Sequence, residues 1–197
     1  MTVPSYRTSN YVKALTRHHH KFFEGHEIAA THWPVGPMPS RVPEFFVHEV
    51  GPGPRGPGWT YLSFGLWPVT HTEHGHGIEF VMTSAVRSSR LVELVTMASY
   101  YHAGPPHQRL DLGHTVPIGE PWLPGSVCDH ELVSLPYAFG PDLEVCSWRG
   151  GHLRILELIP ISEAERAYKV EHGQELLEQR LEAAGAHVSD PMRPSVV

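Results

Sequence analysis

Leu153-Arg154-Ile155-Leu156-Glu157-Leu158-Ile159-Pro160-Ile161-Ser162-Glu163-Ala164-Glu165 carries the strongest structural signal in the chain. From Leu153 to Ile159 the run is nearly continuous in apolar residues, which reads as a strand buried on both faces. Just beyond it, Ser162 and Glu165 stand at capping-box spacing. The serine hydroxyl accepts from a backbone amide of the first turn, and the glutamate reaches back to the serine's own amide. The spacing predicts a helix opening at Glu163, broken at Gly173, and a further helix through Leu176, Leu177 and Leu181 to Gly185. A buried strand running into a capped helix makes the chain a mixture of α and β elements around a shared core.

Upstream, residues 131–135 and 143–148 form two more apolar runs separated by turn residues, and they read as further strands of the same sheet. Residues 89–102 place Leu91, Leu94, Val95 and Ala98 at helical spacing after a serine pair, and Gly104-Pro105-Pro106 stops that helix. Residues 59–67 and 78–83 read as neighbouring antiparallel strands, and 26–33 and 44–50 as two earlier extended segments set among proline- and glycine-rich loops. A first helix is expected over 9–24, with Ser9 and Asn10 as capping candidates, Tyr11, Leu15 and Phe22 near one face, and Gly25 as its stop. The sum is an α+β fold: a mixed, largely antiparallel sheet with three to four helices in a single domain, residues 1–185. Residues 186–197 are expected as a poorly ordered tail.

The 197 residues are 41% apolar, enough for a sizeable core without disulfides or a structural metal. A formal charge of −6 and the lack of a basic run beyond Arg17-His18-His19-His20-Lys21 argue against a nucleic-acid partner. Cys128 and Cys146 lie outside any CxxC or Cys-His spacing, so neither a redox pair nor a zinc site is expected. No window is apolar enough for a membrane span, and a cytoplasmic protein is expected.

Few residues suggest chemistry. His71-Thr72-Glu73-His74-Gly75-His76 offers three imidazoles and a carboxylate, which transition metals favour, but the spacing matches no closed cage and an exposed loop is expected. His18, His19 and His20 point in different directions on a helix and are expected at the surface. Glu79 and Glu157 invite comparison with acid–base pairs, although outward-facing or salt-bridged glutamates on a sheet are the plainer expectation. Cys128-Asp129-His130 lacks the features of an activated nucleophile. Gly51-Pro52-Gly53-Pro54-Arg55-Gly56 is no phosphate loop, since it lacks the lysine ending and its prolines remove amide donors. No catalytic residue, metal or cofactor is assigned. Tyr100 and Tyr101, at the end of the 89–102 helix, are candidates with Asp111 and His114 for a partner-binding surface.

Three stretches in this order resemble the suppressor-of-fused family: Thr60-Tyr61-Leu62-Ser63-Phe64-Gly65-Leu66, Gly77-Ile78-Glu79-Phe80-Val81-Met82, and the opening stretch from Leu153 to Glu165. Between them, Leu110-Asp111-Leu112-Gly113-His114 resembles the segment leading to the family's glycine-histidine turn. The resemblance covers roughly residues 10–185 and implies a mixed α/β fold that binds proteins. Animal members hold a transcription-factor peptide as an added strand between two lobes, and short bacterial members resemble immunity proteins that neutralise a toxin. One lobe is represented here, so the clamp and its ligand are not expected, and Gly113 stands where animal members have an acidic residue. The expected function is neutralisation of a cognate toxin, or sequestration of a client, by direct binding; the acidic balance suits a basic toxin. Two alternatives remain: an enzyme or small-molecule binder with the histidine loop 71–76 and Cys128-Asp129-His130 lining a pocket, or an adaptor adding a strand at a free edge over 44–50.

Overall fold

The computed structural model describes residues 5–197, with side chains from Asn10 onward. Residues 1–4 of the expected domain and the side chain of Ser9 lie outside the described residues. The first half contains α1 (Ser5–Phe22), β1 (Ile28–Thr31), α2 (Met38–Arg41), β2 (Phe46–Val50), β3 (Trp59–Phe64), α3 (Trp67–Thr70), β4 (His76–Ser84) and α4 (Ser89–His102). A 3-10 turn at Pro106–Gln108 leads to β5 (Thr115–Pro117), β6 (His130–Ser134), α5 (Pro141–Glu144), β7 (Val145–Trp148), β8 (Gly151–Ile161), α6 (Glu163–His172) and α7 (Gln174–Ala183).

β8 organises the sheet. On one side its residues 152–157 pair in parallel with β4. On the other, β7 takes residues 151–154 and β6 takes 157–161, both antiparallel. The eight strands run β1-β2-β3-β4-β8-β6-β5, with β7 beside β8, so the expected mixed and largely antiparallel sheet is what forms. Alternation along β8 sends Leu156 and Leu158 to one face, where they meet Leu91, Leu94, Val95 and Ala98 of α4. Leu153 and Ile155 face the other way, into Tyr11, Leu15 and Phe22 of α1. Ile159 and Ile161 share that second face but pack on Leu177 and Leu181 of α7. Leu176, next to Leu177 on α7, is exposed.

The capping box forms as read. Ser162 accepts from the Glu165 amide at 3.2 Å, and Glu165 accepts from the Ser162 amide at 2.8 Å. Gly173, at φ +92°, separates α6 from α7, a left-handed position that glycine occupies without strain.

Several expectations are corrected. α1 starts at Ser5, which places Ser9 and Asn10 inside the helix rather than at its cap. The 59–67 strand ends at Phe64, because Gly65 turns the chain and Trp67-Pro68 opens the single-turn α3. Residues 141–144 fold as α5, so the strand expected over 143–148 shortens to β7. The free edge expected over 44–50 is closed from Val47 to Val50, where β1 pairs with β2; the strand path ends instead at β1 and β5.

The expected tail, 186–197, does not hang free. Past Glu157, β8 has no partner on its β4 side, and the final segment fills that place. Arg193 donates to the Pro160 carbonyl at 2.6 Å and forms a two-pronged pair with Glu165 at 2.7 and 2.8 Å, where both side chains are almost wholly buried. Nearby, the Ala85 amide donates to the Ser189 carbonyl at 2.9 Å.

Candidate functional site

Of the four predicted partner-binding residues, Asp111 and His114 lie in the turn that leads into β5, while Tyr100 and Tyr101 lie at the C-terminal end of α4. Asp111 to His114 make a tight turn: the His114 amide donates to the Asp111 carbonyl at 3.1 Å, and Gly113 sits at φ +80°. The Gly113 amide donates to the Val133 carbonyl at 2.9 Å, which fixes the turn to β6 and leaves the Asp111 and His114 side chains exposed. This turn leads into β5, whose outer edge is unpaired among the described strands. His102, buried at the end of α4, accepts from the Leu110 amide at 2.9 Å and so ties that helix to the turn. Tyr101 is exposed there, whereas Tyr100 stacks under Arg41, 3.7 Å from its ring centre, and serves to hold α2.

Two grooves flank the sheet face opposite α4. One, about 630 Å³, runs between α1 and the β7–β8 turn and presents Lys13, Arg17, Lys21 and Arg149. The spacing of four along α1 aligns its three cations, a stripe that sequence reading overlooked by seeking consecutive basic residues. The other, about 710 Å³, lies between α7, the loop after β6 and the β8 strand, and its lining includes Glu157, Glu175, Glu178 and Glu182. The domain therefore carries opposite charges on separate grooves.

Glu157 reaches the second groove because of its register. Ile155 is covered by α1 and Ile159 by α7, so Glu157 falls in the seam between the helices. It is only 3% exposed, and burial pushes its carboxyl up to about 7 despite a hydrogen bond from Thr83 Oγ1 at 3.2 Å. Glu79 has a different role. Fully buried, it accepts from Tyr11 at 2.6 Å, from Ser63 at 2.5 Å and from the Leu66 amide at 2.8 Å, fixing the turn from β3 into α3. Neither glutamate is the outward-facing or salt-bridged residue expected from sequence.

The remaining candidates separate. His71 stacks on Trp67 at 4.3 Å, while His76 packs at a tilt against His152 across β4 and β8, with ring centres 4.0 Å apart. No group of three metal-ligating side chains occurs among the described residues. His18 bonds the Leu143 carbonyl at 2.8 Å, and His19 is fully buried with its Nδ1 2.9 Å from that of His48. The surface expectation for the triplet fails at His19 because α1 lies over β2. Burial pushes His19 well down and brings His48 down to about 4. Cys128 lies in the core beneath α4, where burial pushes its thiol up, while His130 pairs with Asp129 at 2.8 Å. The pocket of the 71–76 loop and Cys128-Asp129-His130 required by the enzyme alternative does not assemble. No described helix is long and apolar enough to cross a membrane.

Comparison with known proteins agrees with this architecture. A crystal structure of a SUFU homolog from Neisseria gonorrhoeae superimposes with a TM-score of 0.81 at 31% identity, covering 96% of this chain and 98% of that one. The Sufu-Fu complex crystal structure matches with a TM-score of 0.67 at 15% identity, over 95% of this chain and 92% of that one. Drosophila Suppressor of Fused matches with a TM-score of 0.65 at 14% identity; 95% of this chain spans 51% of that one. These last two likenesses concern the fold alone. No curated protein matches this chain. The family model described as Suppressor of fused protein (SUFU) matches residues 42–194, and the chain belongs to that family.

Proposed function

We propose that this chain is a protein-binding domain that neutralises or sequesters a partner by covering its surface, in the cytoplasm, with a basic toxin as the leading client. The observation that carries the reading is the exposed Asp111–His114 turn opening onto the unpaired β5 edge, with Tyr101 exposed at the neighbouring helix end. Exposed aromatic and charged side chains on a rigid frame suit an interface anchor. Family membership adds weight, since a similarly folded chain is known from a Sufu-Fu complex. The net charge of −6 favours encounter with a basic client, and covering a toxin's site requires no chemistry from the inhibitor.

The test is capture of partners from the source cells with the wild-type domain and with a Tyr101→Ala, Asp111→Ala, His114→Ala variant. A protein retained in stoichiometric amount by the first and lost by the second is expected. Equal retention by both refutes the assigned surface, and no retained protein refutes the binding reading.

Strand addition is a second reading, favoured by β1. Its partner β2 bonds Glu27 through the Gly51 amide, so ladder alternation turns Ile28 and Ala30 outward, and no proline or charge blunts residues 28–31. Ala30→Pro would remove an outward donor without breaking the β1–β2 ladder. Unchanged capture by that variant refutes this route.

A further inference from the structure

The groove between α7 and β8 holds a local charge imbalance. Three carboxylates, Glu175, Glu178 and Glu182, follow one ridge of α7, and Glu157 rises from the strand beneath, yet no lysine or arginine lines the groove. Like charges at this helical spacing repel. The arginine on α7, Arg180, is turned elsewhere and stacks over Tyr168 at 4.5 Å. Glu178 is engaged by Ser134 at 2.5 Å, Gln174 at 2.6 Å and Tyr137 at 3.1 Å. Glu157 is not comparably satisfied: Oε1 accepts from Thr83, and Oε2 has no hydrogen-bond partner among the described residues although the side chain is 97% buried. A carboxylate oxygen reached from an acidic groove on an otherwise buried side chain, over a floor that includes Ile159, Leu181 and Val188, is shaped for a cation on an apolar stem.

We propose that this groove receives an arginine side chain presented by a protein partner, its guanidinium pairing with Glu157 and its methylenes lying over the apolar floor. Arginine fits better than a hydrated metal ion because the floor is apolar, and better than lysine because its planar fork can pair with a carboxylate through two donors and keep others for the neighbouring acidic side chains. The proposal rests on the reading of the chain as a protein-binding domain and assigns part of its partner's chemistry. The groups around Glu157 are Thr83 from β4, Ser134 opposite it on β6, Tyr137 from the loop after β6, the three α7 glutamates and His187 beyond α7.

The experiment is an NMR titration of the whole chain with acetyl-Gly-Ser-Arg-Ser-Gly-amide, with citrulline and lysine versions of the peptide as controls. Saturable shifts are expected at Tyr137, Glu157 to Ile159 and the α7 face, together with a fall in the Glu157 carboxyl pKa as the arginine binds. Glu157→Gln is close in shape to the protonated acid, and it should weaken binding roughly tenfold, the loss of one charge-assisted hydrogen bond. Glu182→Gln, at an exposed helix position, gives a second variant with the same expected direction if the first fails to fold. Equal binding of the citrulline or lysine peptide, shifts centred elsewhere, or variants that bind as wild type would each overturn the proposal. Because the peptide is supplied directly, such a failure is separable from partner capture: a partner held by wild type and lost by the Tyr101/Asp111/His114 variant would leave the binding reading standing while the groove assignment falls.

Discussion

Glu131 offers a quantitative test of the fold's electrostatics. It lies on β6 between Val116 of β5 and Pro160 of β8, fully buried, and neither carboxylate oxygen has a hydrogen-bond partner. Arg90 on α4 exerts a modest downward pull, but it is paired with Glu93 at 2.7 Å and Glu120 at 2.8 Å. Burial therefore dominates and raises the carboxyl from the ordinary 4.5 to about 8. The folded state holds this proton where the unfolded chain has released it, so stability falls as pH rises between the two values. Buried histidines oppose this trend below about pH 6.5, but above that they are neutral in both states. Between pH 6.5 and 8 the Glu131 contribution should be a loss of roughly 1.5–2 kcal/mol, from a limiting slope of about 1.4 kcal/mol per pH unit. Glu131→Gln keeps the side chain's size and removes the titration. Urea unfolding of both proteins across this window should show the wild type losing that much more stability than the variant, with Glu157 and Glu79 contributing equally to both and cancelling. Parallel stability curves would refute the assignment of a proton to buried Glu131.

Other substitutions test other parts of the account. Arg193→Ala leaves Glu165 buried without its cation and should cost about 3–5 kcal/mol in denaturant unfolding, whereas a loss under 1 kcal/mol would mean that the terminal segment is dispensable. His48, brought down to about 4 by burial, stays neutral in the folded state while the unfolded side chain protonates near 6.5. Its stabilisation is thus present above pH 6.5 and lost toward pH 4, by roughly 3 kcal/mol. His48→Asn should flatten this acid limb, and an unchanged limb would exclude His48 as its source. Tyr101→Ala should change stability by no more than about 0.5 kcal/mol while weakening partner binding; a large stability loss would instead make Tyr101 part of the core.

Local signals and hydrophobic periods were the legible part of this structure. Ser162 and Glu165 announce their helix because both partners of the capping box lie within one turn, and the α4 face is spelled out by Leu91, Leu94, Val95 and Ala98. β5 escaped notice because three residues ending in Pro117 make no period. The single-turn helices α2, α3 and α5 are too short for one as well, although proline in the first turn of each was a usable sign. Long-range pairings left no local mark: Arg193 meets Glu165 only after two helices have folded back, and His19 meets His48 only once α1 lies over β2. The candidate site divides in the same way. The exposed Asp111–His114 turn was visible through its glycine, but the acidic groove depends on Glu157 lying between α1 and α7, a consequence of the β8 register that sequence alone does not disclose.

The central claim is that the chain works by holding another protein. Native mass spectrometry of the domain drawn gently from its source cells weighs proteins, metals and small molecules together. The account predicts a stoichiometric complex with a basic protein, dissociating when Tyr101, Asp111 and His114 are replaced together. A bare chain, or one retaining a small molecule that it then turns over, would contradict it.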